Sequence, residues 1–208
     1  MRIVYLGFLK TGSRSICSYI KSLLKYKTYI GGSIHLTQDN IYIGSHFDLH
    51  KLNMKKAFFK GEVSNEIVYD VLKYNEDFIS REFPYFGMYK YINENYENSK
   101  FILCIRNSED VFNSYKTYMS ESVNFIINDA LFDVNGPITE ENRDDFIKVY
   151  EDHNSKILEY FSDKPGKLLV LNFEDIGTDA FKKQIQDFLG KYDNSIVMKN
   201  LKSPSETI

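Results

Sequence analysis

Two rhythms of apolar residues alternate along this chain. Short runs over 2–6, 57–63, 100–105 and 167–172 read as strands; those over 2–6, 100–105 and 167–172 are mainly aliphatic, β-branched and aromatic, the pattern of buried strands, while the one over 57–63 is interrupted at Gly61. Between them, apolar residues return every third or fourth position, which predicts helices. Ile16, Ile20, Leu23 and Leu24 form the first such stripe, and Val111, Phe112 and Tyr115 a later one. A helix is also predicted from Ser64 or Asn65 to about Tyr74, and another over 83–98 with Tyr85, Met88, Tyr89 and Ile92 on its inner side. A long helix follows from about Thr139 to Phe161, with Phe146, Val149, Tyr150, Ile157 and Phe161 as its apolar face. Thr178 is placed to cap a last helix bearing Phe181, Ile185, Phe188 and Leu189, closed by Gly190. Gly31-Gly32 marks a turn, and Asn40 to Gly44 reads as a short strand. The alternation predicts an α/β fold with a mostly parallel central sheet.

The chain's 208 residues suit one domain with a sizeable core. Sixteen Tyr and sixteen Phe with no Trp leave the aromatic packing to single rings. Cys17 falls in a predicted helix and Cys104 in a predicted strand, where both read as small core residues rather than a disulfide or metal site. No signal peptide or anchor pattern and no run of the ~20 apolar residues that a membrane span needs is visible, so the expectation is a cytoplasmic protein. The net charge of −3 conceals an asymmetry: from Met1 to Lys60, ten Lys and Arg face only Asp39 and Asp48. A basic first third attracts a polyanionic ligand, or forms a solvated basic face. The acidic balance of the whole argues against general nucleic-acid binding.

The chemistry concentrates between the first predicted strand and helix, in Gly7-Phe8-Leu9-Lys10-Thr11-Gly12-Ser13-Arg14-Ser15. A loop that ends on a helix N-terminus presents unpaired N–H groups and the positive end of the helix dipole, which suits phosphate or sulfate. Two glycines let the backbone approach an anion, Lys10 adds a mobile charge, and Thr11, Ser13 and Ser15 add hydroxyl donors. The ATP-binding form of such a loop places Lys and then Ser or Thr directly after its last glycine. Here Ser13 and Arg14 follow Gly12, and the lysine precedes it by two places.

Further along, Arg106 emerges at the tip of a predicted strand and Ser114 lies eight residues later, a pair able to hold one phosphate. Glu62 stands at another predicted strand's carboxyl end, where open α/β sheets place their ligands. His46, Asp48 and His50 alternate, so that an extended backbone sets them on one face. They fit a general base or substrate contact, or plain surface residues; no further cluster supports a metal.

The loop at Lys10 resembles the 5′-phosphosulfate loop of the sulfotransferases, and strand, Arg106, eight residues, Ser114 resembles their 3′-phosphate motif. Lys60-Gly61-Glu62-Val63-Ser64 is similar to a central segment of that family, with Asn65 in place of a usual proline. The strand ending in Phe173-Glu174-Asp175, with its following helix, resembles a late segment. Arg14 departs from the Thr or Ser usual after the loop glycine.

The resemblance implies a three-layer α/β/α sandwich related to the P-loop nucleotide kinases, spanning 1–208 as one domain. It implies 3′-phosphoadenosine 5′-phosphosulfate (PAPS) as co-substrate, PAP as product, no metal, and a carbohydrate or small-molecule acceptor with a hydroxyl or amine. Lys10, Thr11, Gly12, Ser13, Arg14 and Ser15 would bind the 5′ end, with Lys10 also catalytic; Arg106 and Ser114 would bind the 3′-phosphate. Glu62, then His46, are the candidate bases, and residues 120–136 a candidate lid over the acceptor or a plain connector. Two other readings stay open: an ATP-dependent kinase with Glu174 or Asp175 positioning magnesium, and a non-catalytic nucleotide-binding module.

Overall fold

The computed structural model describes residues 1–25, 29–30, 34–37, 40–43, 78–80, 87, 89–120, 128, 131–134 and 136–198. Five strands form one parallel sheet: β1 (Arg2–Tyr5), β2 (Tyr29–Ile30), β5 (Phe78–Ser80), β6 (Ser99–Ile105) and β7 (Leu168–Asn172), in the order β2-β5-β1-β6-β7. Arg2 of β1 stands beside Phe78 on one side and Ser99 on the other, and Ile105 of β6 stands beside Asn172 of β7. The C-terminal ends of β1, β6 and β7 therefore share one edge. β3 (Ile34–Thr37) and β4 (Asn40–Ile43) form a separate antiparallel hairpin, so the short strand predicted at Asn40 exists but lies outside the main sheet. Three-residue β5, too short to show a pattern, supplies the neighbour of β1; the predicted strand over 57–63 and the helix from Ser64 lie outside the described residues.

The pleat sends alternate residues to opposite layers. Ile3, Tyr5, Ile102, Cys104 and Leu171 pack with α1 (Ser13–Leu24), through Ile16, Ile20 and Leu23, and with Phe181, Ile185 and Leu189 of the last helix. Val4, Leu6, Phe101 and Leu103 face α2 (Tyr89–Asn95), α3 (Ser108–Ser120) and α4 (Arg143–Phe161), through Ile92, Phe112, Tyr115, Phe146 and Phe161. Each of these side chains contributes roughly 1.5–3 kcal/mol by leaving water. The result is the expected three-layer α/β/α sandwich.

The helix ends follow their local chemistry. The last helix, α5, covers Asp179–Leu189; the Thr178 hydroxyl accepts from Phe181 N–H at 3.2 Å, and Gly190 closes it at φ 65°. α4 is preceded by a capping box between Thr139 and Asn142 and a short 3₁₀ turn. Of the helix predicted over 83–98, Tyr89–Asn95 is helical and 96–98 lie past its end, while 83–86 and 88 lie outside the described residues. Cys17 and Cys104 are free and buried, and burial pushes the Cys104 thiol up to about 12, as suits core residues. Among the described residues, no helix is long and apolar enough to cross a membrane.

Candidate functional site

The first loop is shaped by its own residues. Tyr5, fully buried at the end of β1, donates its hydroxyl to the Thr11 carbonyl at 2.6 Å. The Thr11 hydroxyl donates in turn to the Phe8 carbonyl at 2.5 Å and lies 2.9 Å from the Tyr5 oxygen. Expected as an anion ligand, this hydroxyl instead ties the loop together, and Thr11 is 0% exposed. Gly7 leaves room for that knot, because a Cβ there would overlap the Tyr5 hydroxyl and come within 2.7 Å of Thr11 Oγ1.

Two residues then turn left-handed, Lys10 at φ 70° and Gly12 at φ 85°. A Cβ on Gly12 would overlap Ile176 Cδ1 and lie 3.3 Å from the Phe173 ring, so Gly12 answers both a backbone and a packing demand. Gly12 is the N-cap of α1, which begins with no side-chain cap and no acid in its first turn. A helix start of that kind favours an anion through its dipole. Ser13 and Ser15 are buried and Arg14 is exposed; Lys10, half-buried, sets its ammonium 4.6 Å from the centroid of the Tyr118 ring on α3.

The second loop leaves β6 at Arg106. Asn107 caps α3, its Oδ1 accepting from the Glu109 and Asp110 N–H groups at 3.0 and 3.2 Å. The Tyr150 hydroxyl of α4 accepts from Arg106 N–H at 2.9 Å and donates to the Arg106 carbonyl at 2.7 Å, fixing that residue's main chain on both sides. The Arg106 guanidinium lies 4.2 Å from the centroid of the Phe173 ring, in the 3₁₀ turn after β7. Its Nη1 donates to the Lys10 carbonyl at 3.3 Å. The buried Nε has no hydrogen-bond partner among the described residues, an unmet donor suited to a phosphate oxygen. Ser114 sits half-buried in the second turn of α3.

His153 of α4 is a site residue absent from the sequence reading. Its Nε2 lies 2.7 Å from the Leu6 carbonyl, at the start of the first loop, and its ring meets Phe8 edge-on at 5.6 Å. Burial pushes the imidazole down to about 4, so Nε2 donates from a neutral ring at ordinary pH. The signal was a polar residue in register with Phe146, Tyr150 and Ile157 on the apolar face of a helix. Of the segment 120–136, Asn128 and Phe132 pack inward: Tyr115 donates to Asn128 Oδ1 at 2.6 Å, and Phe132 stacks on Phe146 with ring centroids 4.9 Å apart. The candidate bases Glu62 and His46, with Asp48 and His50, lie outside the described residues. Among those described, no group of three or more His, Cys, Asp or Glu is placed to hold a metal.

The sheet edge therefore gathers Lys10, an uncapped helix start and Arg106 into one cationic site, while Glu174 and Asp175 stay exposed beside it. No family model and no curated protein matches the chain. Solved structures do. The fold is similar to mouse sulfotransferase SULT7A1 complexed with PAP, at 18% identity and a TM-score of 0.53, over 94% of this chain and 59% of that one. It is similar to a sulfotransferase from Alicyclobacillus acidocaldarius, at 14% identity and a TM-score of 0.50, over 97% and 86% of the two chains. It also resembles the sulfotransferase domain from the curacin biosynthetic pathway, at 16% identity and a TM-score of 0.54, over 98% and 78%. The chain has the sulfotransferase fold and spans under two thirds of the mouse protein's chain.

Proposed function

We propose that this protein transfers a sulfuryl group from PAPS to a hydroxyl or amine of a carbohydrate or small-molecule acceptor. The observation that carries this reading is the hydrogen bond from Arg106 Nη1 to the Lys10 carbonyl. It makes a lysine-bearing phosphate loop and a strand-tip arginine one continuous site, as a nucleotide with phosphates at both ends requires. The residues present fit such a ligand: the buried Arg106 Nε is unmet among the described residues, and the first turn of α1 carries no competing acid.

When bound, the donor supplies the sulfuryl group and a bisphosphate leaving group. Main-chain N–H groups from Gly12 to Ser15, with the helix dipole and the Arg14 guanidinium, hold the 5′-phosphate. Lys10 neutralises the charge that develops on the leaving phosphate oxygen. Arg106 and Ser114 hold the 3′-phosphate through charge-assisted and hydroxyl hydrogen bonds. Glu62, or after it His46, takes the acceptor's proton as the new sulfur–oxygen or sulfur–nitrogen bond forms. Lysine and the helix end here do the electrostatic work that magnesium does for ATP.

Thermal unfolding with adenosine 3′,5′-bisphosphate, and separately with ATP with and without magnesium, tests the reading. The bisphosphate at 100 times its dissociation constant stabilises the fold by about 2.7 kcal/mol. The expected rise is independent of magnesium and lost in Lys10→Ala and Arg106→Ala. A rise only with magnesium-ATP would overturn it in favour of a kinase.

A further inference from the structure

Helix α4 reaches both loops with polar groups set into a largely apolar buried face. Tyr150 makes two hydrogen bonds to the main chain of Arg106, and His153 makes one to the Leu6 carbonyl. Both rings also pack on Phe8 of the first loop, Tyr150 at 5.6 Å and His153 at 5.6 Å between centroids. Phe8 is fully buried and meets Phe146 of the same helix at 5.9 Å, so the contact is a rigid one. An aromatic core seals well without hydroxyls or imidazoles, and each buried polar group costs free energy unless it is paired. Here each is paired with the backbone of a loop.

We infer that Tyr150 and His153 are positioning residues that set the spacing between the two phosphate subsites, making α4 the ruler by which the site selects a nucleotide phosphorylated at both ends. This rests on the donor-site reading above. Each residue serves one subsite. Tyr150 fixes the arginine that faces the 3′-phosphate, while His153 fixes the start of the loop that faces the 5′-phosphate. Removing one therefore damages recognition of one phosphate and spares the other, which a general loss of packing does not do.

Calorimetric titration of adenosine 3′,5′-bisphosphate, adenosine 5′-monophosphate and adenosine 3′-monophosphate into wild type, Tyr150→Phe and His153→Phe tests the inference. Tyr150→Phe keeps the ring and removes both hydrogen bonds. It is expected to weaken the bisphosphate and the 3′-monophosphate about tenfold and to leave the 5′-monophosphate within about twofold. His153→Phe is expected to do the reverse, weakening the bisphosphate and the 5′-monophosphate and sparing the 3′-monophosphate. Variants that weaken all three ligands alike, or none, overturn the inference. Should Tyr150→Phe fail to fold, His153→Gln beside His153→Phe decides the matter: glutamine retains an N–H donor and restores 5′-monophosphate binding, and equal behaviour of the two overturns the inference. A wild type that binds the bisphosphate no better than either monophosphate instead refutes the donor-site reading itself.

Discussion

The two candidate anion loops are held in different ways. The loop after β1 is tied first by its own neighbours: Tyr5, Phe8 and Thr11 lie within six residues and Gly7 leaves the space they need, with Gly12 seated against Ile176 and Phe173 and His153 holding the loop's start. The loop after β6 has a local cap in Asn107, but its functional residue is fixed from elsewhere. Arg106 is clamped by Tyr150 of α4, stacked on Phe173 after β7, and bonded to Lys10 after β1. A loop tied by near neighbours carries much of its shape in its own sequence, whereas a residue fixed from three elements takes its place from the assembled fold.

Gly12 is where local and remote support of the first loop meet. Gly12→Ala places a Cβ against Ile176 and Phe173 at a φ of 85°, joining left-handed strain to overpacking. A loss of roughly 3 kcal/mol in denaturant unfolding is expected, together with loss of bisphosphate binding. An alanine variant of unchanged stability would show that neither the left-handed turn nor the contact with Ile176 and Phe173 constrains this loop.

Acid probes the remote support. The His153 imidazole titrates near 4 in the fold and near 6.5 when unfolded, so between those values the unfolded chain binds more protons. Its contribution to stability is complete above pH 6.5 and is lost as pH falls toward 4, by roughly 3 kcal/mol at most. Unfolding free energy measured across that window is expected to fall more steeply in wild type than in His153→Phe; parallel slopes would remove His153 from the account.

The smallest effect is expected where the second loop is local. Asn107→Ala removes the cap of α3 and costs about 1 kcal/mol by chemical denaturation, with bisphosphate affinity within about threefold of wild type. A larger loss of affinity would mean that the cap, and not Tyr150, orients Arg106.

The same contrast decides what the sequence could show. Gly7 to Ser15 is contiguous, so the first loop is visible as a string of candidate anion ligands, and Arg106 is visible as a charge ending an apolar run. The partners of Arg106 are not, because hydrogen bonds to Tyr150 and Lys10 span 44 and 96 residues. The inward turn of the Thr11 hydroxyl also escaped, since composition names a donor without saying where it points. Layers and helices followed from periodicity, but β5 is three residues long and carries no period of its own. His153 was hidden by the stripe it occupies, where a single polar residue reads as an interruption rather than as a hydrogen bond to a loop.

The placement of β1 has a consequence for biogenesis. It is a central strand of a parallel sheet, yet its two partners begin at Phe78 and Ser99. During synthesis at 5–20 residues per second, this apolar strand emerges on the order of 5–20 s before β6 can pair with it. Parallel pairing across such separations is intrinsically slow, so the nascent chain holds an unpaired, sticky strand for up to about half of its translation. The segment that leads to the Lys10 loop is thus also the one that waits longest for its neighbours.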